Sequence, residues 1–220
     1  GIGEAIQSTE TKKTNSVNLE KASEYFSGGK ERIKFSETAT SSLPIENRFP
    51  LNLELTACYD YSTVTESVIC VGKSSGVCSI GGEKATPNSS TGAPVTITSI
   101  KENVVGNKLI ITFIISNEGK GKVYSPNSDC DLLQQGEINE RLNEGEVYVD
   151  VVTEQGFTCL LKQKGTYSTI RDTSGQATIG PVTCEKVLSE NEETHSAIFK
   201  IITSYKYREK KNKVITIIPV

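Results

Sequence analysis

Residues 95–126 read VTITSIKENVVGNKLIITFIISNEGKGKVYSP, with Pro94 before them. Two apolar runs alternate with polar residues, the period of strands that bury one face. Gly106-Asn107 lies between the runs, a two-residue signal for an antiparallel hairpin. Asn117-Glu118-Gly119-Lys120-Gly121 then ends the second run with turn formers. The stretch is expected to be a hairpin of a two-layer sandwich. The fold class expected from it is mostly β: an immunoglobulin-like β-sandwich with a smaller N-terminal β element and one short N-terminal helix.

Working outward, residues 1–14 are polar and read as a flexible arm or an extended contact segment. Leu19, Ala22, Tyr25 and Phe26 fall on one helical stripe, with Asn15 or Ser16 as cap and Gly28-Gly29 as stop. Residues 33–38 suit a strand. Residues 51–61 alternate with Leu51, Leu53, Leu55, Ala57, Tyr59 and Tyr61 on one face. Residues 63–65 are expected to turn the chain and residues 68–71 to return it. Residues 72–94, rich in Gly, Ser, Thr, Pro and Asn, read as a long connection. Beyond the hairpin lie strands at 147–152, 157–161 and 176–187, the last interrupted by Gly180-Pro181. A final hairpin is expected from 197–207 and 214–220 over a basic turn. The division expected is an arm and helix in 1–32, a Cys-rich β element in 33–86, and a sandwich in 94–220 carrying an acidic insert at 127–146. An internal echo is also visible: Tyr59-Asp60-Tyr61 leading to Val68-Ile69-Cys70-Val71 matches Tyr205-Lys206-Tyr207 leading to Val214-Ile215-Thr216-Ile217. It reads as two hairpins of one kind.

The chain has 220 residues, 35% of them apolar and 23% charged, with a net charge of −3. That balance gives no global basic surface for nucleic acid. No run approaches the 18 apolar residues of a membrane-spanning helix. Met is absent and the chain starts Gly-Ile-Gly, which points to a processed or trimmed N-terminus. Six Cys without a zinc-knuckle spacing, beside a single His, favour three disulfides in an oxidising compartment over free thiols or a metal site. Cys70–Cys78 would close a short turn and Cys159–Cys184 would join neighbouring strands. Cys58–Cys130 is left by elimination.

The search for chemistry returns little. His195 sits in a polar turn and reads as a solvated residue. The chain has no phosphate loop, no Gly-x-Ser-x-Gly and no His-Glu-x-x-His, so no cofactor is expected. Asp129 and Asp131, with Asn127, are weak Ca²⁺ candidates that lack the regular acids and glycine of a calcium loop. Asn88-Ser89-Ser90 is a weak glycosylation sequon.

Residues 95–124, with Asn117-Glu118-Gly119 at a strand end, resemble the CARDB-type immunoglobulin-like domains of prokaryotic surface proteins. Residues 55–71, with Cys58-Tyr59-Asp60-Tyr61, are similar to segments of extracellular archaeal proteins that combine such modules with S-layers or pili. The six Cys and the acidic insert depart from the general pattern. The resemblance implies adhesive or structural work and brings no catalytic residues with it.

Two features bear on self-association. Lys206, Arg208, Lys210, Lys211 and Lys213 form a basic turn that reads as a solvated hairpin tip or as the complement of an acidic segment with Glu137, Glu140 and Glu144 in a neighbouring copy. Val214, Ile215 and Ile217 lie in a strongly β-prone last strand that either pairs within its own sheet or, like the polar arm 1–14, adds to a sheet of another subunit. The expected function is a structural, non-enzymatic subunit of an extracellular, cell-surface filament or layer. Its partners are copies of itself, with other surface proteins or glycans as further ones. The alternative is a monomeric adhesive module that reads glycan or protein with its loops. A carboxylate hydrolase is a third reading, and it requires a cleft with two facing acids.

Overall fold

The computed structural model describes residues 6–8, 19, 31–33, 39–41, 47–73, 77–84, 93–135, 143–164, 167–171 and 178–218. The chain forms two compact units. One comprises Thr56–Glu209; the other comprises Gly1–Leu55 with Lys210–Val220.

The larger unit is a β-sandwich of two antiparallel sheets. One sheet runs, edge to edge, through β10 (Lys162–Lys164), β11 (Tyr167–Arg171), β8 (Glu146–Val152), β13 (His195–Ile217) and β3 (Phe49–Val71), and β7 (Lys122–Tyr124) also pairs with β13. The other runs through β4 (Gly82–Glu83), β5 (Val95–Val105), β6 (Lys108–Asn117), β12 (Thr178–Val187) and β9 (Phe157–Cys159). Inward residues of both sheets share one core. Ile69, Val71, Phe199 and Ile201 from the first sheet meet Val95, Ile100, Ile111, Phe113 and Val182 from the second. Phe113 and Phe157 both meet Phe199 edge-on, with centroids 6.2 and 5.8 Å away. The only described helix is α1 (Cys130–Gln135), within the acidic insert.

β5 and β6 are the hairpin read from the sequence, paired from Val95↔Asn117 to Val105↔Lys108. Gly106 takes φ 62° and Asn107 has no positive φ, the pattern of a type II′ turn. The pairing slips between Ile97 and Ser99. This bulge inverts the parity of β5: Val95 and Ile97 point inward before it, Ile100 and Glu102 after it.

The structure corrects two turns. Residues 63–65 do not reverse the chain, and neither does the basic stretch at 208–213. Both lie inside 23-residue strands, β3 and β13, which neighbour each other in the first sheet. Neither stretch contains Gly or Pro, and Thr63-Val64-Thr65 is β-branched and prefers extended backbone. Thr63 and Thr65 are buried, and the Thr63 hydroxyl donates to the Val95 carbonyl at 3.0 Å. The echo between 59–71 and 205–217 is therefore two long partner strands instead of two hairpins. Ile69 and Val71 of β3 belong to the same core as Val95 and Phe113.

In the smaller unit β1 (Ile6–Ser8) pairs antiparallel with β2 (Ala39–Ser41) from Ile6↔Ser41 to Ser8↔Ala39. The expected helix near 15–26 lies outside the described residues except for Leu19, which is exposed and not helical. The strand expected at 33–38, apart from Ile33, and Asn88, Glu137 and Glu140 also lie outside them.

Candidate functional site

The basic stretch faces acids of its own chain. Lys206 meets Asp60 at 2.9 Å and Lys200 meets Glu66 at 3.0 Å. In the smaller unit Lys210 meets Glu54 at 2.6 Å. As the lysine number rises the acid number falls, so β3 and β13 run antiparallel. The Lys206–Asp60 and Lys200–Glu66 pairs lie on the face turned away from the core, because Phe199, Ile201, Thr203, Tyr205 and Tyr207 hold the inward positions. The pairs are half-exposed, and each contributes at most about 1 kcal/mol. Glu144 is engaged too, by Lys122 at 2.7 Å, and that hydrogen bond raises the Lys122 pKa against its partial burial. Arg208 stands opposite Lys122 in the β13–β7 ladder. Val214 and Ile218 are exposed, while Ile215 and Ile217 are half-buried.

The inward face carries four tyrosines, two from each long strand. Tyr61 stacks on Tyr205, and Tyr59 meets Tyr207 at 5.8 Å with its ring tilted by 53°. The Tyr205 hydroxyl accepts from the Val95 amide at 3.2 Å and lies 3.3 Å from the Thr63 hydroxyl. The Tyr207 hydroxyl accepts from the Gly121 amide. Burial raises the Tyr205 pKa, and burial followed by nearby Glu209 pushes Tyr59 up to about 12. Through the Tyr205 and Tyr207 hydroxyls these side chains act as structural pegs. They also account for the glycines of 117–121: a Cβ on Gly119 would strike the Tyr207 hydroxyl and Pro94, and one on Gly121 would strike the Arg208 carbonyl. Asn117 closes that loop, donating to the Gly121 carbonyl at 3.0 Å and accepting from the Gly119 amide at 3.2 Å.

A charged cluster lies at the start of β13. Lys186 bonds Glu154 and reaches Glu192 at 2.9 Å, and Glu154 also holds His195 Nε2 at 2.7 Å. His195 Nδ1 is 2.9 Å from the Glu193 carbonyl. Burial opposes charge on Glu154, but hydrogen bonds from Lys186 and His195 outweigh it and lower its pKa. Lys186 lowers the pKa of Glu192, and Glu154 raises that of His195. With both ring nitrogens engaged, the imidazolium ties the turn after β8 to β13. His195, expected as a solvated turn residue, is exposed but partnered.

Glu102 is the least expected functional group. In a regular strand its position would face solvent; the bulge before it turns its carboxylate inward. It accepts from the amides of Cys70 at 2.8 Å and Gly81 at 2.7 Å, and Lys84 lies 3.2 Å away. One buried side chain thereby holds the Cys70 end of the loop that the Cys70–Cys78 bridge closes together with Gly81, three residues past Cys78. No one-residue signal in β5 marks Glu102; only the register slip does.

All six Cys are paired: Cys58–Cys130, Cys70–Cys78 and Cys159–Cys184. Cys159 and Cys184 stand opposite each other on β9 and β12. Cys58–Cys130 fastens α1 to β3. The bridges indicate an oxidising environment. Asp129 caps α1, accepting from the Asp131 amide at 2.7 Å, and Asp131 lies in the first helical turn, where acids suit the dipole. Among the described residues no three His, Cys, Asp or Glu side chains gather as a metal set. Nor is any described helix long and apolar enough to cross a membrane.

No family model, curated protein or solved structure matches this chain. Its functional reading therefore starts from its own geometry.

Proposed function

We propose that this protein is a structural, non-enzymatic subunit of an extracellular filament or layer on a cell surface, of the kind the CARDB-like stretch at 95–124 implies for archaeal S-layer or pilus-associated proteins. The observation that carries the reading is the pair of 23-residue strands. β3 ends its sheet with β13 as its one neighbour, and among the described residues no strand pairs with its other edge. Three bridges and a single shared core provide the rigidity of a load-bearing module. Contact between the basic stretch and an acidic segment of another copy plays a smaller part, because Lys206, Lys210 and Glu144 already have partners in their own chain.

The test is electron microscopy and light scattering on disulfide-intact protein over a concentration series. Filaments or layers are expected. A strictly monomeric chain that binds a glycan or protein ligand would replace this reading with that of an adhesive module.

A further inference from the structure

We propose that copies of this chain join head to tail through the two opposite edges of the ribbon formed by residues 49–55 and 210–217. The outer edge of 211–217 in one copy pairs as a strand with the outer edge of 49–55 in the next. This rests on the reading of the chain as a filament subunit and says which surfaces make the contact.

The geometry begins with what each strand has already used. β3 and β13 are neighbours, and the Glu54–Lys210 contact places 49–55 beside 210–217. That pairing consumes one edge of each strand. On its other edge β13 pairs with β8 over 200–204 and with β7 over 206–208. Past Arg208 no described strand covers that edge, and none covers the outer edge of β3. These two edges, uncovered among the described strands, lie on opposite sides of one antiparallel ribbon. Adding the next copy antiparallel at the junction repeats the same strand order in the same orientation. Such a contact does not close on itself and propagates.

Charge selects this arrangement over like-with-like pairing. Residues 49–55 contain one acid, Glu54, and no base; residues 210–217 contain Lys210, Lys211 and Lys213 and no acid. Two copies meeting through 211–217 would oppose lysine to lysine, whereas the 49–55 edge carries no base to repel the incoming lysines. Leu53, Leu55 and Val214 are 46%, 52% and 61% exposed, and pairing would cover them. Pro50 and the lysines are also devices that protect an edge from promiscuous pairing. Protection alone would not require opposite signs on the two edges.

The experiment compares the full, disulfide-intact wild type with Lys213→Glu and Val214→Pro, measuring the critical concentration for assembly by light scattering and filament form by microscopy. Near-UV circular dichroism verifies the fold, and Lys213→Glu, at an exposed strand position, keeps the test decisive if the proline variant misfolds. Lys213→Glu is expected to raise the critical concentration about tenfold. Salt at about 0.5 M should do the same to the wild type by screening, and Val214→Pro should stop elongation. Filaments with an unchanged critical concentration in both variants would overturn the edge assignment and leave the filament reading standing. A closed dimer would overturn the head-to-tail contact. A wild type that never assembles would end both.

Discussion

Tyr61 and Tyr205 lie nearly parallel across β3 and β13, with ring centroids 5.7 Å apart and planes 13° apart. Tyr205 is fully buried, and its hydroxyl accepts from the Val95 amide at the start of the central hairpin. One side chain thus connects both long strands to the second sheet. Tyr205→Phe keeps the ring and strands that amide, for an expected loss of about 1–2 kcal/mol. Tyr205→Ala removes the stack as well and should cost about 3–5 kcal/mol. Denaturant unfolding of the two variants measures the difference, and equal losses would assign the whole effect to the hydroxyl.

Glu102→Gln should destabilise the chain by about 2–3 kcal/mol, because it leaves Lys84 without its counter-charge and two inward amides with a weaker acceptor. The effect should be local first. Amide exchange at Cys70 and Gly81 is expected to accelerate before exchange in β6, and uniform acceleration would contradict the anchoring role.

His195 is the single histidine, so its ring resonances report one site. Its pKa is raised above the ordinary 6.5 by Glu154, so its contribution to stability is complete below about 6.5 and is lost as pH climbs through the folded value. Glu154 and Glu192 are lowered from about 4.5, so their contribution holds above 4.5 and is lost as pH falls through their folded values. The cluster is therefore at full strength between about 4.5 and 6.5. His195 is 46% exposed, which limits its share to less than about 1 kcal/mol. An NMR titration should give a midpoint above 6.5, falling in Glu154→Gln; a wild-type midpoint at or below 6.5 would contradict the contact.

The bridges should differ in worth. Cys58–Cys130 spans 72 residues and Cys70–Cys78 spans 8. Chain entropy of the unfolded state then predicts losses of about 4 and about 2.5 kcal/mol when each pair is replaced by alanine. Unfolding of the two double variants measures the order, and a larger loss at Cys70–Cys78 would show that the loop held by Glu102 depends on its bridge for more than entropy.

Much of the sandwich was legible locally. The apolar alternation of 95–105 and 108–117 and the Gly106-Asn107 turn require no distant contact, and they form the β5–β6 hairpin. The even Cys count with no metal spacing likewise pointed to bridges. At 63–65 and in the basic stretch the chain stays extended where a turn is expected, for one reason. A short polar or charged run breaks a strand when it has no partner, but each of these runs faces a complementary strand far away in sequence. Lys206 continues β13 because Asp60 is there to meet it, and Thr63 continues β3 because the Val95 carbonyl accepts its hydroxyl.

The β class, the central hairpin and the pairing of the cysteines follow from period, turn chemistry and residue count within the amino-acid sequence. That β3 and β13 are single long strands lying side by side, that Tyr61 meets Tyr205, and that Glu102 turns inward came from contacts distant in the chain. Those features depend on register. Register is settled when two strands remote in the chain bury their inward faces together, and a one-residue slip such as the bulge between Ile97 and Ser99 reassigns every side chain beyond it.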